Sequence, residues 1–328
     1  MKVFDVSLAP NAAKLSCYVQ DLSKEMATAD VRPAMLVFPG GGYEFCSDRE
    51  AEPIALAYLA EGYNAFVLRY AVGANMPWER SFEDAQAALR YVREHAAELH
   101  IDPDKVAVVG FSAGGHLASA LGTVAEEKPN ALVLGYPVIL DEFCKAMGKN
   151  VPATDEAVTD ATPPAFIFST SNDGLVPIQN SLAFAKALAD ADQFFEMHIY
   201  VMGEHGCSLA KAAQAGGNPG VVNPDAQNWI SDSVRFLRHV FGDFPVRGRE
   251  NKPDMPNYQK PSLDIPVKLI LKRADWAAAL DAVLPGASAM LRKDPIAQGL
   301  SLRQIAAWSP KVFSLEVVAR LEAAFDKM

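Results

Sequence analysis

Four cysteines stand in a chain of 328 residues, Cys17, Cys46, Cys144 and Cys207, and none forms a C-x-x-C pair or has metal-ligand spacing. That excludes a disulfide-stapled scaffold or a cysteine zinc site, so no metal is expected and the cysteines read as reduced thiols. Positive charge is also scarce. There are 30 Lys and Arg against 40 Asp and Glu, a net charge of −10, and the basic residues are scattered. A nucleic-acid partner, which needs clustered cations to neutralise phosphate, is excluded. No apolar run approaches the roughly 18 residues of a spanning helix. Residues 1–10 lack the basic start and apolar run of a signal peptide. The expectation is a soluble, cytoplasmic protein with no membrane partner. With half its residues apolar and 21% charged, the chain can bury a core without staples.

What is present alternates. Ala34–Phe38, Ala65–Leu68, Val106–Val109, Leu132–Leu134 and Ala165–Phe168 read as buried strands. Phe195, Met197, Ile199 and Val201 alternate with Glu196, His198 and Tyr200, the period of a half-exposed strand whose polar face is solvated. Between the strands lie helical patterns. The clearest places Phe82, Ala85, Leu89, Val92, Ala96 and Leu99 on one face, with Ser81 as N-cap and Asp102-Pro103 as its end. Strands alternating with helices predict an α/β fold, a mainly parallel sheet covered on both faces. Ligands of such sheets bind beyond the carboxyl ends of the strands. The stretch from Asp243 to Pro266 carries five prolines and little periodicity. We read residues 1–248 as the catalytic domain, 249–260 as a linker and 261–328 as a small helical module. In that module Ser301 and Gln304 form a capping box, and Leu315, Val318, Leu321 and Phe325 form a final amphipathic stripe.

Gly110-Phe111-Ser112-Ala113-Gly114-Gly115 follows the strand Val106–Val109 and opens a helical run. Strand, G-x-S-x-G and helix in that order describe a nucleophile elbow, with Ser112 exposed at its tip. A serine hydroxyl needs a base within reach and a carboxylate to orient it, here in the order Ser, acid, His. Of six histidines, His95 and His100 precede the serine, His116 lies one turn along its own helix, and His198 and His239 read as surface residues. His205, in the loop Gly203-Glu204-His205-Gly206 after a strand, is left as the base. Asp173, in Asn172-Asp173-Gly174 after another strand, is the favoured acid, with Asp141 the runner-up and Asp155 and Asp160 weaker. Gly40-Gly41-Gly42 follows the first buried strand, so bare backbone amides can approach a ligand there. The loop lacks the G-K-[ST] ending of a phosphate-binding P-loop, which favours an oxyanion loop.

These segments, with Asp102-Pro103-Asp104-Lys105-Val106, Asn172-Asp173-Gly174-Leu175-Val176-Pro177 and Glu204-His205-Gly206, resemble the α/β-hydrolase superfamily over residues 30–242. Within it the resemblance is to the bacterial acetyl esterase and carbohydrate (acetyl xylan) esterase-like group near the hormone-sensitive-lipase-like enzymes. It implies the α/β-hydrolase fold, a Ser112–His205–Asp173 triad, an oxyanion hole from the amides of Gly41, Gly42 and Ala113, and no cofactor. Pro39 stands where many relatives have histidine, so a different brace for the loop is expected. The tail around Met290 and Gly299–Ala306 faintly resembles an accessory module of some bacterial carbohydrate-active enzymes, although a stabilising or dimer-forming cap is the plainer reading, and a homo-oligomer stays open. The expected function is a serine carboxylesterase that removes acetyl or other small acyl groups from a carbohydrate or similar small polar ester. A prolyl-oligopeptidase-like peptidase and a catalytically silent binding scaffold are the alternatives. Tyr43, Trp78 and Tyr136, with Phe45 and Met76, are the candidate pocket walls.

Overall fold

The apolar runs become the middle of one eight-stranded sheet in the computed structural model, which describes residues 1–249, 251–256 and 258–328. The strands are β1 (Lys2–Leu8), β2 (Ala13–Val19), β3 (Arg32–Phe38), β4 (Asn64–Arg69), β5 (Ile101–Phe111), β6 (Ala131–Gly135), β7 (Ala165–Thr170) and β8 (Phe195–Tyr200). Their spatial order is β1-β2-β4-β3-β5-β6-β7-β8. β1 and β2 run antiparallel to their neighbours, and every pair from β4–β3 to β7–β8 is parallel.

Parallel neighbours need crossovers, supplied by α1 (Glu52–Ala60), α2 (Trp78–Glu94), α3 (Ala113–Thr123), α4 (Asp141–Ala146) and α5 (Gln179–Asp190), and α6 (Trp229–Phe241) follows the last strand. Side chains alternate across the sheet, so each central strand feeds two cores. Leu36, Val108, Leu132 and Ile167 pack with Leu89 of α2, Leu117 of α3 and Leu188 of α5. On the other face Trp229 of α6 stacks on Phe168 at 4.5 Å between ring centroids and meets Phe111 and Tyr58 edge-on. The Tyr58 and Ser233 hydroxyls join α1 to α6 at 2.8 Å.

The structure departs from the sequence reading at several places. β1 and β2 were not expected. β1 carries Lys2 and Asp5 and leaves Val3 and Phe4 exposed, so it shows no apolar run. Helix α2 starts after Pro77 rather than Ser81, whose buried hydroxyl donates to the Ala71 carbonyl at 2.7 Å. It ends at Glu94, before Ala96 and Leu99, and Asp102-Pro103 lie in β5. β8 is a half-exposed edge strand, as expected, with Met197 against the core, but its polar face is covered rather than solvated. Phe195 and Ile199 are exposed. His198 bonds Glu196 at 2.7 Å and lies 3.5 Å from Asp232 of α6, because α6 covers the polar face.

By its internal contacts the chain divides into two units, Met1–Pro253 and Asp254–Met328. The junction lies in the stretch read as a linker, in which Glu250 and Asn257 are outside the described residues. The second unit holds α7 (Val267–Lys272), α8 (Ala274–Val283), α9 (Ala287–Leu291), α10 (Pro295–Gly299), α11 (Leu302–Trp308) and α12 (Leu315–Phe325). They close on their own core around Ile270, Trp276, Leu280 and Leu321. Ser301 and Gln304 form the reciprocal capping box at α11. Leu315, expected on the buried stripe, is 90% exposed at the first position of α12.

Leu36 lies in β3 between β4 and β5 and is fully buried. Leu36→Ala is expected to lower the stability of the first unit by about 2–5 kcal/mol. Urea unfolding followed by tryptophan fluorescence checks this, and a midpoint equal to wild type would refute the packing described.

Candidate active site

Strand β5 ends at Phe111 and α3 begins at Ala113, leaving Ser112 to turn the chain at φ 52°, ψ −120°. A side chain-bearing residue rarely adopts this conformation, and it is held by backbone bonds on both sides. The Ser112 amide donates to Gly135 at 3.0 Å, and the Ser112 carbonyl accepts from His116 at 3.0 Å and Val138 at 3.1 Å. The turn also needs close packing. A Cβ on Gly114 would lie 2.2 Å from the Phe38 carbonyl oxygen, so only glycine fits where α3 passes the end of β3.

The turn aims the serine at two other strand ends. His205 Nε2 accepts from the Ser112 hydroxyl at 2.9 Å, and His205 Nδ1 donates to Asp173 Oδ2 at 2.7 Å. Asp173 Oδ1 accepts from the amides of Leu175 and Val176, both at 2.9 Å. The carboxylate, its side chain 1% exposed, is thus satisfied on both oxygens, and the imidazole is held in the tautomer that presents a basic Nε2 to the serine. The Tyr136 ring stands edge-on to the imidazole at 5.1 Å. Asp141, the other candidate acid, begins α4 on the surface and pairs with Lys145 at 2.6 Å.

The loop after β3 completes the arrangement. Gly41 has φ +128°, where an L-residue is strained, and its carbonyl accepts from Glu44 at 2.9 Å and Phe45 at 3.3 Å. Folding back in this way leaves the amides of Gly41 and Gly42 without an acceptor among the described residues. Ala113, first in α3, likewise has no helical acceptor for its N–H. Gly41, Gly42, Ser112 and His205 all border one cavity of about 520 Å³, whose further walls include Phe45, Phe143, Met147 and Leu175.

Sequence reasoning missed Glu50. It is 2% exposed yet borders this cavity. Its Oε2 accepts from the Gly40 amide at 2.9 Å and its Oε1 from the Tyr136 hydroxyl at 2.6 Å. That hydroxyl in turn accepts from the Ser208 amide at 2.9 Å, three residues after His205. One buried carboxylate therefore ties the glycine loop to the histidine loop. The Tyr70 hydroxyl adds a bond to the Pro39 carbonyl at 2.5 Å. Glu50 and Tyr70 supply the brace for the proline-bearing loop. The available signal was an acidic residue shortly after the glycines, indistinguishable in sequence from surface charge.

Three expected pocket walls are not walls. Tyr43, Trp78 and Tyr136 are 1%, 8% and 2% exposed and do not border the cavity, because each spends its polar atom on an internal bond. The Trp78 indole donates to the Tyr43 hydroxyl at 3.1 Å, and that hydroxyl meets His116 Nδ1 at 2.7 Å. His116 Nε2 lies 2.8 Å from the Pro152 carbonyl. A carbonyl can only accept, so Nε2 carries the proton and Nδ1 accepts from Tyr43. Of the other candidates, Phe45 does border the cavity, whereas Met76 lends its carbonyl to Lys149. The four cysteines are free, and burial raises the Cys207 thiol beside the histidine loop to about 12. Among the described residues no cluster of His, Cys, Asp and Glu is assembled to hold a metal ion, and no helix is long and apolar enough to cross a membrane.

The sheet order and the elbow at the tip of β5 define a class, and the chain belongs to the α/β-hydrolase superfamily, among the esterases of the hormone-sensitive-lipase-like group. Residues 21–154 match the BD-FAE family model. The crystal structure of MGS-M1, an α/β-hydrolase enzyme from a Medee basin deep-sea metagenome library, is 45% identical with a TM-score of 0.68, covering 73% of this chain and 98% of that one. Endo-1,4-beta-xylanase B of Butyrivibrio fibrisolvens is 33% identical over 226 residues, 59% of this chain and 35% of the relative. Acetylxylan esterase of Xylanibacter ruminicola is 31% identical over 230 residues, 62% of this chain and 46% of the relative. The chain thus spans less than half the length of these two curated relatives.

Burial lowers the His116 pKa from 6.5 to about 4. Between those values the unfolded chain binds a proton that the folded protein refuses, so stability contributed by neutral His116 is full above pH 6.5 and is lost as the pH falls towards 4. The loss amounts to ~3 kcal/mol at most. His116→Gln should therefore show a shallower fall in urea midpoint than wild type across this window. Parallel pH profiles for the two proteins would contradict the buried neutral imidazole.

Proposed function

We propose that this chain is a serine carboxylesterase that releases small acyl groups, acetyl first, from a carbohydrate or similar small polar ester. The observation that carries the reading is the continuous hydrogen-bonded chain Asp173–His205–Ser112 opening onto a cavity bordered by free amides. Ser112 Oγ attacks the ester carbonyl as His205 Nε2 takes its proton, and Asp173 stabilises the imidazolium. The negative charge on the carbonyl oxygen meets the amides of Gly41, Gly42 and Ala113, already oriented and poor in other partners. His205 then protonates the departing alcohol, leaving an acyl-enzyme. Water attacks that acyl group with His205 again as base, which frees the acid and restores Ser112. The cavity of about 520 Å³ accommodates a short acyl group together with part of the alcohol. Similarity to a protein named acetylxylan esterase supports the carbohydrate alcohol.

A p-nitrophenyl ester series from acetyl to octanoyl tests this reading, with Ser112→Ala as the blank. Highest kcat/KM on acetyl, abolished in the variant, is the expected outcome. Preference for long chains would move the substrate towards lipids, and no serine-dependent turnover would favour the silent scaffold. Because Glu50 positions the glycine loop, Glu50→Gln, which places an amide donor against Gly40 N–H or Tyr136 O–H, should lower kcat on the acetyl ester by on the order of 10–10² with little change in KM. An unchanged kcat would remove Glu50 from the account.

A further inference from the structure

Among the described residues that border the active-site cavity, Arg49 is the one lysine or arginine. Its guanidinium finds neither a carboxylate nor another acceptor among the described residues. The nearby charges are already engaged. Asp48 and Glu52 are held by Arg69, each at 2.8 Å. Glu44 lies 3.7 Å from Lys149, and both oxygens of Glu50 accept the bonds described above. Arg49 is exposed at the cavity rim, where it supplies positive charge in a chain of net charge −10.

The backbone of Arg49 is fixed in place. Its carbonyl accepts from the Ser208 hydroxyl. Its side chain lies against Gly206, where a Cβ would come within 2.8 Å of Nη2 and 3.4 Å of Cζ. The guanidinium is therefore beside the residue that follows His205. His205 is the group that protonates the departing alcohol, so the alcohol half of the substrate must pass next to this position. A planar fork of N–H donors there suits a carboxylate.

We propose that Arg49 binds a carboxylate on the alcohol half of the substrate, so that the preferred esters are those on an acidic sugar of the hexuronic acid class. The proposal rests on the esterase reading, and the experiment separates the two. Wild type, Arg49→Gln and Arg49→Lys are assayed as full chains on the methyl glycoside of an O-acetylated glucuronic acid and on its neutral glucose counterpart, with p-nitrophenyl acetate alongside. The readout is the acidic-to-neutral ratio of kcat/KM, which a general loss of activity does not move. In wild type it should be about tenfold or more, carried by KM, and should shrink on adding salt. In Arg49→Gln it should fall towards one, with Arg49→Lys between. A wild-type ratio of one, a ratio unchanged in Arg49→Gln, or turnover of p-nitrophenyl acetate but of neither sugar ester would overturn Arg49 as the specificity residue and leave the esterase reading standing. Absence of Ser112-dependent turnover on p-nitrophenyl acetate would overturn both.

Discussion

Ser112 sits at φ 52°, ψ −120°, a backbone conformation that costs an L-residue of order 1–3 kcal/mol, and much of the first unit is arranged around keeping it there. The turn follows the central strand β5, locked between β3 and β6 by parallel pairing. α3, which leaves the turn, is buried along its whole length. Glycine at position 114 lets the helix start against the Phe38 carbonyl. The strain is therefore balanced by ordinary burial, and the result is a hydroxyl placed at the rim of the sheet.

Around that fixed point the structure organises two loops that have little regular structure of their own. The glycine loop and the histidine loop are joined through Glu50, Tyr136 and Ser208, each bond being short and away from water. Buried polar groups are costly when one partner is lost, so such a network behaves as a unit. It fixes the Gly41 and Gly42 amides and His205 relative to each other, the geometric demand that the proposed acyl transfer makes. A second set of bonds, Trp78 to Tyr43 to His116 to Pro152, secures the far side of the glycine loop.

The parts readable from sequence were those with a local signature. Val106–Val109 followed by Gly110–Gly115 signals strand, elbow and helix because sterics restrict which residues can make the turn. The order of Ser112, Asp173 and His205 is legible because the first two follow short apolar runs and the third follows an alternating run, each with the pattern of a strand. Glu50 was not, since its meaning lies in bonds to Gly40 and Tyr136, and the Tyr136 partner is 86 residues away. Tyr43, Trp78 and Tyr136 were misread as walls for the same reason: aromatic side chains near a site suit both a pocket and a core, and only their polar partners decide. β1 was hidden by its charged residues. β2 did carry the alternation of a half-buried strand, with Ala13, Leu15, Cys17 and Val19 inward, and a period-two reading of that stretch would have found it. β8 has a legible alternation, but the cover of its polar face comes from α6, which no local pattern announces.

An activated Ser112 should react with a fluorophosphonate, and peptide mass spectrometry locates the label. One covalent adduct, on Ser112, should form in wild type and be lost in His205→Ala. An intact folded protein that takes up no label, or carries it on another residue, would contradict it.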